Sequence, residues 1–289
     1  MKPLSGDEIC LVLSEMADNG VFHFSLQGGE TFIYPYLERA IKACKPYKSY
    51  ITLVTNGTVA DKKQLECVYH LGVDKIAVSI DSYYPYEHDL FRNLKGCHEK
   101  ALKTLSIARE IGLDVSLAVT VTNENIHKDS IQKLFDWAVI NRINVELNIP
   151  QPIGNWDGRE DLILTDNNFR YINDLFLKYP NIRRDLAPNF GRSGCPAVKE
   201  SLYMSVYGDI YPCVYIHISI GNIRDFSLKN IRKNAMSLRE FREYIPRCLA
   251  GEDKSFIKEY ISQGFGKPKP VDGFRVFNLK IPYEKSVRS

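Results

Sequence analysis

The chain has 289 residues, 44% apolar and 25% charged, with a formal net charge of +3. That composition suits a globular chain with one large core and a smaller second module, and the small charge, with no basic stripe, argues against nucleic acid or an anionic membrane as partner. No apolar run approaches bilayer length and the start MKPLSGDEI lacks a signal-peptide core, so a cytoplasmic address is expected. There the seven cysteines, at 10, 44, 67, 97, 195, 213 and 248, persist as core thiols or metal ligands rather than disulfides.

Ser5 with Glu8 forms a capping box that opens a helix through Met16, closed at Asn19-Gly20. A strand is expected at Val21–Leu26, then a helix over Tyr36–Cys44, a strand over Tyr50–Thr55, a helix over Asp61–Leu71 and a strand over Lys75–Ile80. The rhythm continues with a helix at His98–Ile111, a strand at Val115–Val121, a helix at Ser130–Asn141, a strand at Val145–Ile149 and a helix at Asn167–Lys178. Five strands, read as continuously apolar and each followed by a helix, predict an α/β fold with a parallel sheet, doubly wound or barrel-like.

In such folds chemistry collects at the carboxyl ends of the strands. Those ends are Gln27-Gly28-Gly29-Glu30, Thr55-Asn56-Gly57, Ser79-Ile80-Asp81, Thr120-Val121-Thr122-Asn123 and Asn148-Ile149-Pro150-Gln151, all polar. One polar loop is ordinary; five on one rim point to a ligand site. From Asn181 to Lys199 the pattern reads as a linker. Beyond it Leu202–Val206 and Ile210–Ile218 flank a Tyr207-Gly208-Asp209 turn, a hairpin signature, followed by helices from Leu228 and near Phe256–Ile261. No structure is expected after Gly264.

Over Leu4 to about Ile261 these features resemble a radical S-adenosylmethionine (SAM) enzyme with a C-terminal extension of the SPASM or shorter twitch type. The resemblance implies a partial TIM-like (β/α) barrel over 1–180, lacking its first strand, a small α+β module over 181–263 and an irregular tail over 264–289. Gly28-Gly29-Glu30 resembles the family's GGE motif, which binds the SAM amino group, and Thr55-Asn56-Gly57 and Val78-Ser79-Ile80-Asp81 resemble its next two strand ends. Glycines permit close backbone approach at φ values other residues avoid, and a carboxylate or adjacent carbonyls accept charge-assisted bonds from an ammonium. By the same resemblance Thr55 and Asn56 belong to the SAM site, Ser79 and Asp81 lie near the SAM carboxylate and ribose, and Gln151 and Gly154 flank the adenine, or else form a plain turn. Arg92 joins that group or is a solvated helix-start residue.

Cys195-Pro196, the Gly208–Cys213 spacing, Gly221-Asn222-Ile223 and Cys248 resemble the auxiliary-cluster segment of SPASM proteins, which implies Cys195, Cys213 and Cys248 as ligands of a 4Fe-4S cluster. Cys10, Cys44 and Cys67 fall in amphipathic helices and read as small buried hydrophobes; Cys97, before a helix, is undecided. One departure stands out: the family's CxxxCxxC loop, which holds the SAM-binding 4Fe-4S cluster, is absent from the sequence. The resemblance therefore implies reductive SAM cleavage that modifies a peptide, protein or small cofactor precursor, with a ferredoxin or flavodoxin as reductant. The chain itself is expected to be truncated and inactive alone. The alternative is a scaffold or binding protein derived from the barrel.

Overall fold

The computed structural model describes residues 2–152, 154–184 and 194–281. Contacts group them into two units, one of Ser5–Asn148 with Arg170–Asp185, the other of Met1–Leu4, Ile149–Phe169 and Leu186–Ser289.

In the first unit α1 (Gly6–Asp18) starts at the Ser5 capping box, with both reciprocal bonds present. There follow β1 (His23–Leu26), α2 (Leu37–Ala43), β2 (Tyr50–Thr55), α3 (Lys62–His70), β3 (Lys75–Ser79), α4 (Pro85–Arg92), α5 (Cys97–Ile111), β4 (Asp114–Thr120), α6 (Asp129–Ile140), β5 (Asn144–Asn148), α7 (Asp166–Lys178, grouped here from Arg170 on) and β6 (Ile182–Arg184). All six strands are parallel and lie in the order β1-β2-β3-β4-β5-β6. A doubly wound sheet reverses its strand order at a switch point; this one never reverses, so its topology is that of a barrel wall.

Two expectations need correction here. The sheet has six strands, because Ile182–Arg184, at the start of the presumed linker, pairs with β5. Nor are the strands uniformly apolar. One face carries Ile51, Leu53, Ile76, Val78, Leu117, Val119, Val145 and Leu147, all sealed from solvent. Helices cover it: Gly57, at φ +71°, brings the turn after β2 so near α5 that an added Cβ would lie 2.7 Å from Ala101 Cα and 3.2 Å from Val78. The other face holds the register rows Ser25-Thr52-Lys75-Asp114 and Ser79-Ala118-Glu146-Arg183. There Lys75 Nζ lies 2.5 Å from Glu146, which also accepts from Ser116 Oγ at 2.9 Å, and His23 Nε2 meets Thr52 Oγ1 at 3.1 Å. The inner face is thus polar and the outer face is the core.

In the second unit β7 (Tyr203–Met204), β8 (Asp209–Tyr211) and β10 (Gly221–Asn222) form an antiparallel sheet, β8 and β7 joined through Gly208 at φ +86°. The predicted long second strand is broken up, since β9 (Ile218–Ser219) leaves to pair in parallel with β11 (Val271–Asp272). Helices α8 (Leu228–Ala235), α9 (Arg239–Arg242), α10 (Lys254–Glu259) and α11 (Gly273–Val276) complete it. The stretch after Gly264, read as irregular, therefore carries a strand and a helix, with Val271 and Phe277 buried.

Candidate functional site

The rim of the parallel sheet is knitted by two carboxylates. Glu30 follows β1, and its Oε1 accepts from Phe32 N at 3.0 Å and Thr55 Oγ1 at 2.8 Å while Oε2 accepts from Asn56 N at 2.9 Å. It thereby ties the end of β1 to the end of β2 and keeps about one of a carboxylate's roughly four acceptor positions. Thr55 is buried and its hydroxyl also accepts from Gly57 N. The Asn56 side chain turns back onto Thr58, accepting from its N at 2.8 Å and its Oγ1 at 2.6 Å. Gly28 and Gly29 precede Glu30 and are exposed; a Cβ on either would meet nothing within 4 Å, and neither has positive φ. Their value here is open space beside bare backbone, not an unusual backbone angle as the sequence suggested.

Asp81 does for β3 and β4 what Glu30 does for β1 and β2. Its side chain is 1% exposed; Oδ1 accepts from Thr120 N at 2.8 Å and Oδ2 pairs with Arg92 Nε at 2.5 Å. Arg92 lies in the last turn of α4, half-buried, and is not a solvated helix-start residue. His88, on the same helix, accepts from Asp81 N at 3.0 Å through Nδ1, and burial pushes its pKa down to about 4, so the ring is neutral. Ser79 ends β3, buried opposite Ala118. Glu30, Thr55, Asn56, Ser79, Asp81 and Arg92 are thus all on the rim or one turn behind it. The sequence reading missed Thr120 N and His88, which only the fold brings to Asp81, and the Lys75-Ser116-Glu146 group, which alternation in Asn144-Val145-Glu146-Leu147-Asn148 would have revealed.

Gln151 and Gly154 belong to the other unit. Gln151 is buried and, with Pro152, Tyr215, His217 and Lys269, lines a cavity of about 10 Å³, enough for about one water. Gly154, at φ +60°, opens a short 3-10 turn. Residue 153, between them, lies outside the described residues.

The same unit carries the three cysteines assigned to a cluster. Cys195 and Cys213 are buried and Cys248 is half-buried. Cys195 N donates to Ile245 O at 2.8 Å, which fixes the first thiol beside the segment leading to Cys248. Burial pushes the Cys213 thiol up, as do Cys195 and Cys248, while the backbone N–H groups of Tyr215 and Ile216 pull it down. Cys213 is thus within electrostatic reach of both other thiols, and its sulfur has the amides of Tyr215 and Ile216 as donors. Among the described residues no three such side chains converge tightly enough for a single metal ion. An iron-sulfur cube spaces its thiolates more widely than one ion does, so three neighbouring thiols with amide donors fit a cluster. Cys44 and Cys97 lie elsewhere: burial raises Cys44 to about 12, and Cys97, at the start of α5, donates to Asp89 Oδ1 at 3.3 Å.

Two stretches of the chain match family models. Residues 1–138 match the model of the radical SAM superfamily, and residues 195–253 match the SPASM model, an iron-sulfur cluster-binding domain. The chain is 24% identical over 287 residues to an AdoMet-dependent heme synthase of Methanosarcina barkeri, covering 89% of this chain and 80% of that one. It is 26% identical over 245 residues to the antilisterial bacteriocin subtilosin biosynthesis protein AlbA of Bacillus subtilis, covering 80% of this chain but only 53% of AlbA. In structure it resembles native anSMEcpe with bound AdoMet, with a TM-score of 0.59 at 17% identity over 92% of this chain and 82% of the other. No helix among the described residues is long and apolar enough to cross a membrane.

Proposed function

Since the chain belongs to the radical SAM superfamily and carries a SPASM iron-sulfur domain, we propose that it is the SAM-binding wall and auxiliary-cluster module of an enzyme that modifies a peptide or a cofactor precursor. The observation that carries this is the open space over Gly28 and Gly29 beside a Glu30 fixed by three donors. In this reading the backbone carbonyls there and the remaining acceptor of Glu30 take the SAM ammonium, with Thr55 and Asn56 holding the turn behind them. Ser79, with Asp81 and Arg92 bracing the next strand end, faces the SAM carboxylate and ribose; Gln151 and Gly154 serve the adenine. A reduced 4Fe-4S cluster, when bound beside SAM, would supply the electron for reductive cleavage of that cofactor. The sequence has no CxxxCxxC loop, and none of these rim residues is a ligand for that cluster. Cys195, Cys213 and Cys248 hold the second cluster. Heme synthesis and bacteriocin biosynthesis in the relatives favour a peptide or cofactor precursor as substrate, and the family resemblance implies a ferredoxin or flavodoxin as electron donor. Seven cysteines kept as thiols suit a cytoplasmic address.

Calorimetric titration of SAM tests the site. A Cβ at either position meets nothing within 4 Å, so Gly28→Val and Gly29→Val should fold normally, but their side chains would fill the space the ligand uses and SAM affinity should fall at least tenfold. Unchanged affinity in both variants would refute the placement.

A further inference from the structure

Lys199 lies four positions beyond Cys195 and its side chain turns inward, leaving the residue 9% exposed. Its ammonium donates to three backbone carbonyls, of Ala197 at 3.4 Å, Glu240 at 3.2 Å and Phe241 at 3.3 Å, and stands 5.4 Å above the Tyr244 ring. Among the described residues no carboxylate forms an ion pair with it; the nearby Glu200 is engaged by the Tyr244 hydroxyl. A buried ammonium whose direct hydrogen-bond partners are all neutral carbonyls is costly, since desolvation is repaid in full only by an opposing charge.

The opposing charge is close by. Tyr244 carries the ammonium on its ring, and the next residue, Ile245, accepts from Cys195 N. Lys199 and Cys195 are thus anchored on adjacent residues of one segment. Burial pushes the Lys199 ammonium down, and Cys195 followed by Glu200 draws it back up. Thiolates around an iron-sulfur cluster leave such a site negative, and one-electron reduction adds another negative charge. We propose that Lys199 is the buried counter-cation of the cluster at Cys195, Cys213 and Cys248 and favours its reduced form. This rests on the cluster reading above and adds to it a residue that sets the electron affinity of the site. Net charge and burial are among the levers that tune such potentials.

A simpler role competes with this one. Glu240 O and Phe241 O belong to the short helix α9, so Lys199 also caps that turn. Three variants separate the roles. Lys199→Arg keeps the charge, Lys199→Gln keeps amide donors for the carbonyls without it, and Lys199→Met keeps only the length. Each full-length chain is reconstituted anaerobically with iron and sulfide, its iron counted, and its midpoint potential read by dithionite titration followed by electron paramagnetic resonance. We expect wild-type iron content in all three, a more negative midpoint in the Gln and Met variants, and a near wild-type midpoint in the Arg variant. Loss of the cluster from both neutral variants alone, with folding intact, would support the same conclusion. Neutral variants that titrate at the wild-type potential, or that fail to fold even without iron, would overturn it in favour of a structural cap. A wild-type chain that takes up no iron would overturn the cluster reading, and this proposal with it, before any variant is compared.

Discussion

Arg92 and Asp81 form the most demanding pair on the rim, and removing the more exposed partner is predicted to do more damage than neutralising both. Asp81 is 1% exposed and Arg92 31% exposed on their side chains, with Nε and Oδ2 2.5 Å apart. Arg92→Met strands a carboxylate that cannot reach water and leaves it Thr120 N as its charge-stabilising donor. Breaking a buried pair from one side costs about 3–5 kcal/mol, and the partial exposure of Arg92 places the loss near the lower figure. Asp81→Asn keeps an acceptor for Thr120 N and leaves a guanidinium that can rehydrate, so it should cost about 1–2 kcal/mol. The double variant Asp81→Asn/Arg92→Met should then be more stable than Arg92→Met alone. Urea denaturation followed by far-ultraviolet circular dichroism reads this directly, since ~3 kcal/mol moves the midpoint by roughly 1 M or more at the usual slopes of about 1–3 kcal/mol/M. If the two single losses simply add in the double variant, the buried-charge argument is wrong.

Acid should weaken the same corner of the fold. His88 has its pKa pushed down to about 4 by burial, against about 6.5 when unfolded, so as pH falls the unfolded chain takes up the proton first. The stability is complete above about pH 6.5 and is lost as pH falls through 4, roughly 3 kcal/mol in all; His88→Gln should flatten that part of the pH profile, and an unchanged slope would contradict it. Catalysis is expected to be absent from the isolated 289-residue chain. Reduced with dithionite in the presence of SAM, it should yield no 5′-deoxyadenosine above background, whereas sustained turnover would mean that a cluster is held by ligands other than a CxxxCxxC loop.

Helices with local signatures were readable from the sequence nearly to the residue. The Ser5-Glu8 and Asp61-Gln64 capping boxes set their own boundaries, because capping is a contact between residues three apart. What escaped depends on distant partners. β6 has three residues amid polar neighbours and is a strand because β5 lies beside it. Val271–Asp272 is likewise a strand only through Ile218–Ser219, far back in the chain. Helix α4 did leave local marks, Pro85 in its first turn and Asn93 at φ +52° after its last, but the run of tyrosines before it obscured them. At the site, the glycines and carboxylates of the rim stood out as residue types. That Glu30 and Asp81 are engaged by Thr55, Asn56, Thr120 and Arg92 is tertiary information, and it recasts them as the braces of a site whose open element is the backbone at Gly28 and Gly29.

Anaerobic reconstitution with iron and sulfide, followed by iron counting and electron paramagnetic resonance, tests the central claim most directly. The wild-type chain should bind one cluster and turn brown; Cys195→Ala, Cys213→Ala and Cys248→Ala should each lose the chromophore, while Cys10→Ala and Cys67→Ala keep it. Equal iron content in all five variants, or none in the wild type, would contradict the assignment of Cys195, Cys213 and Cys248 to an iron-sulfur cluster.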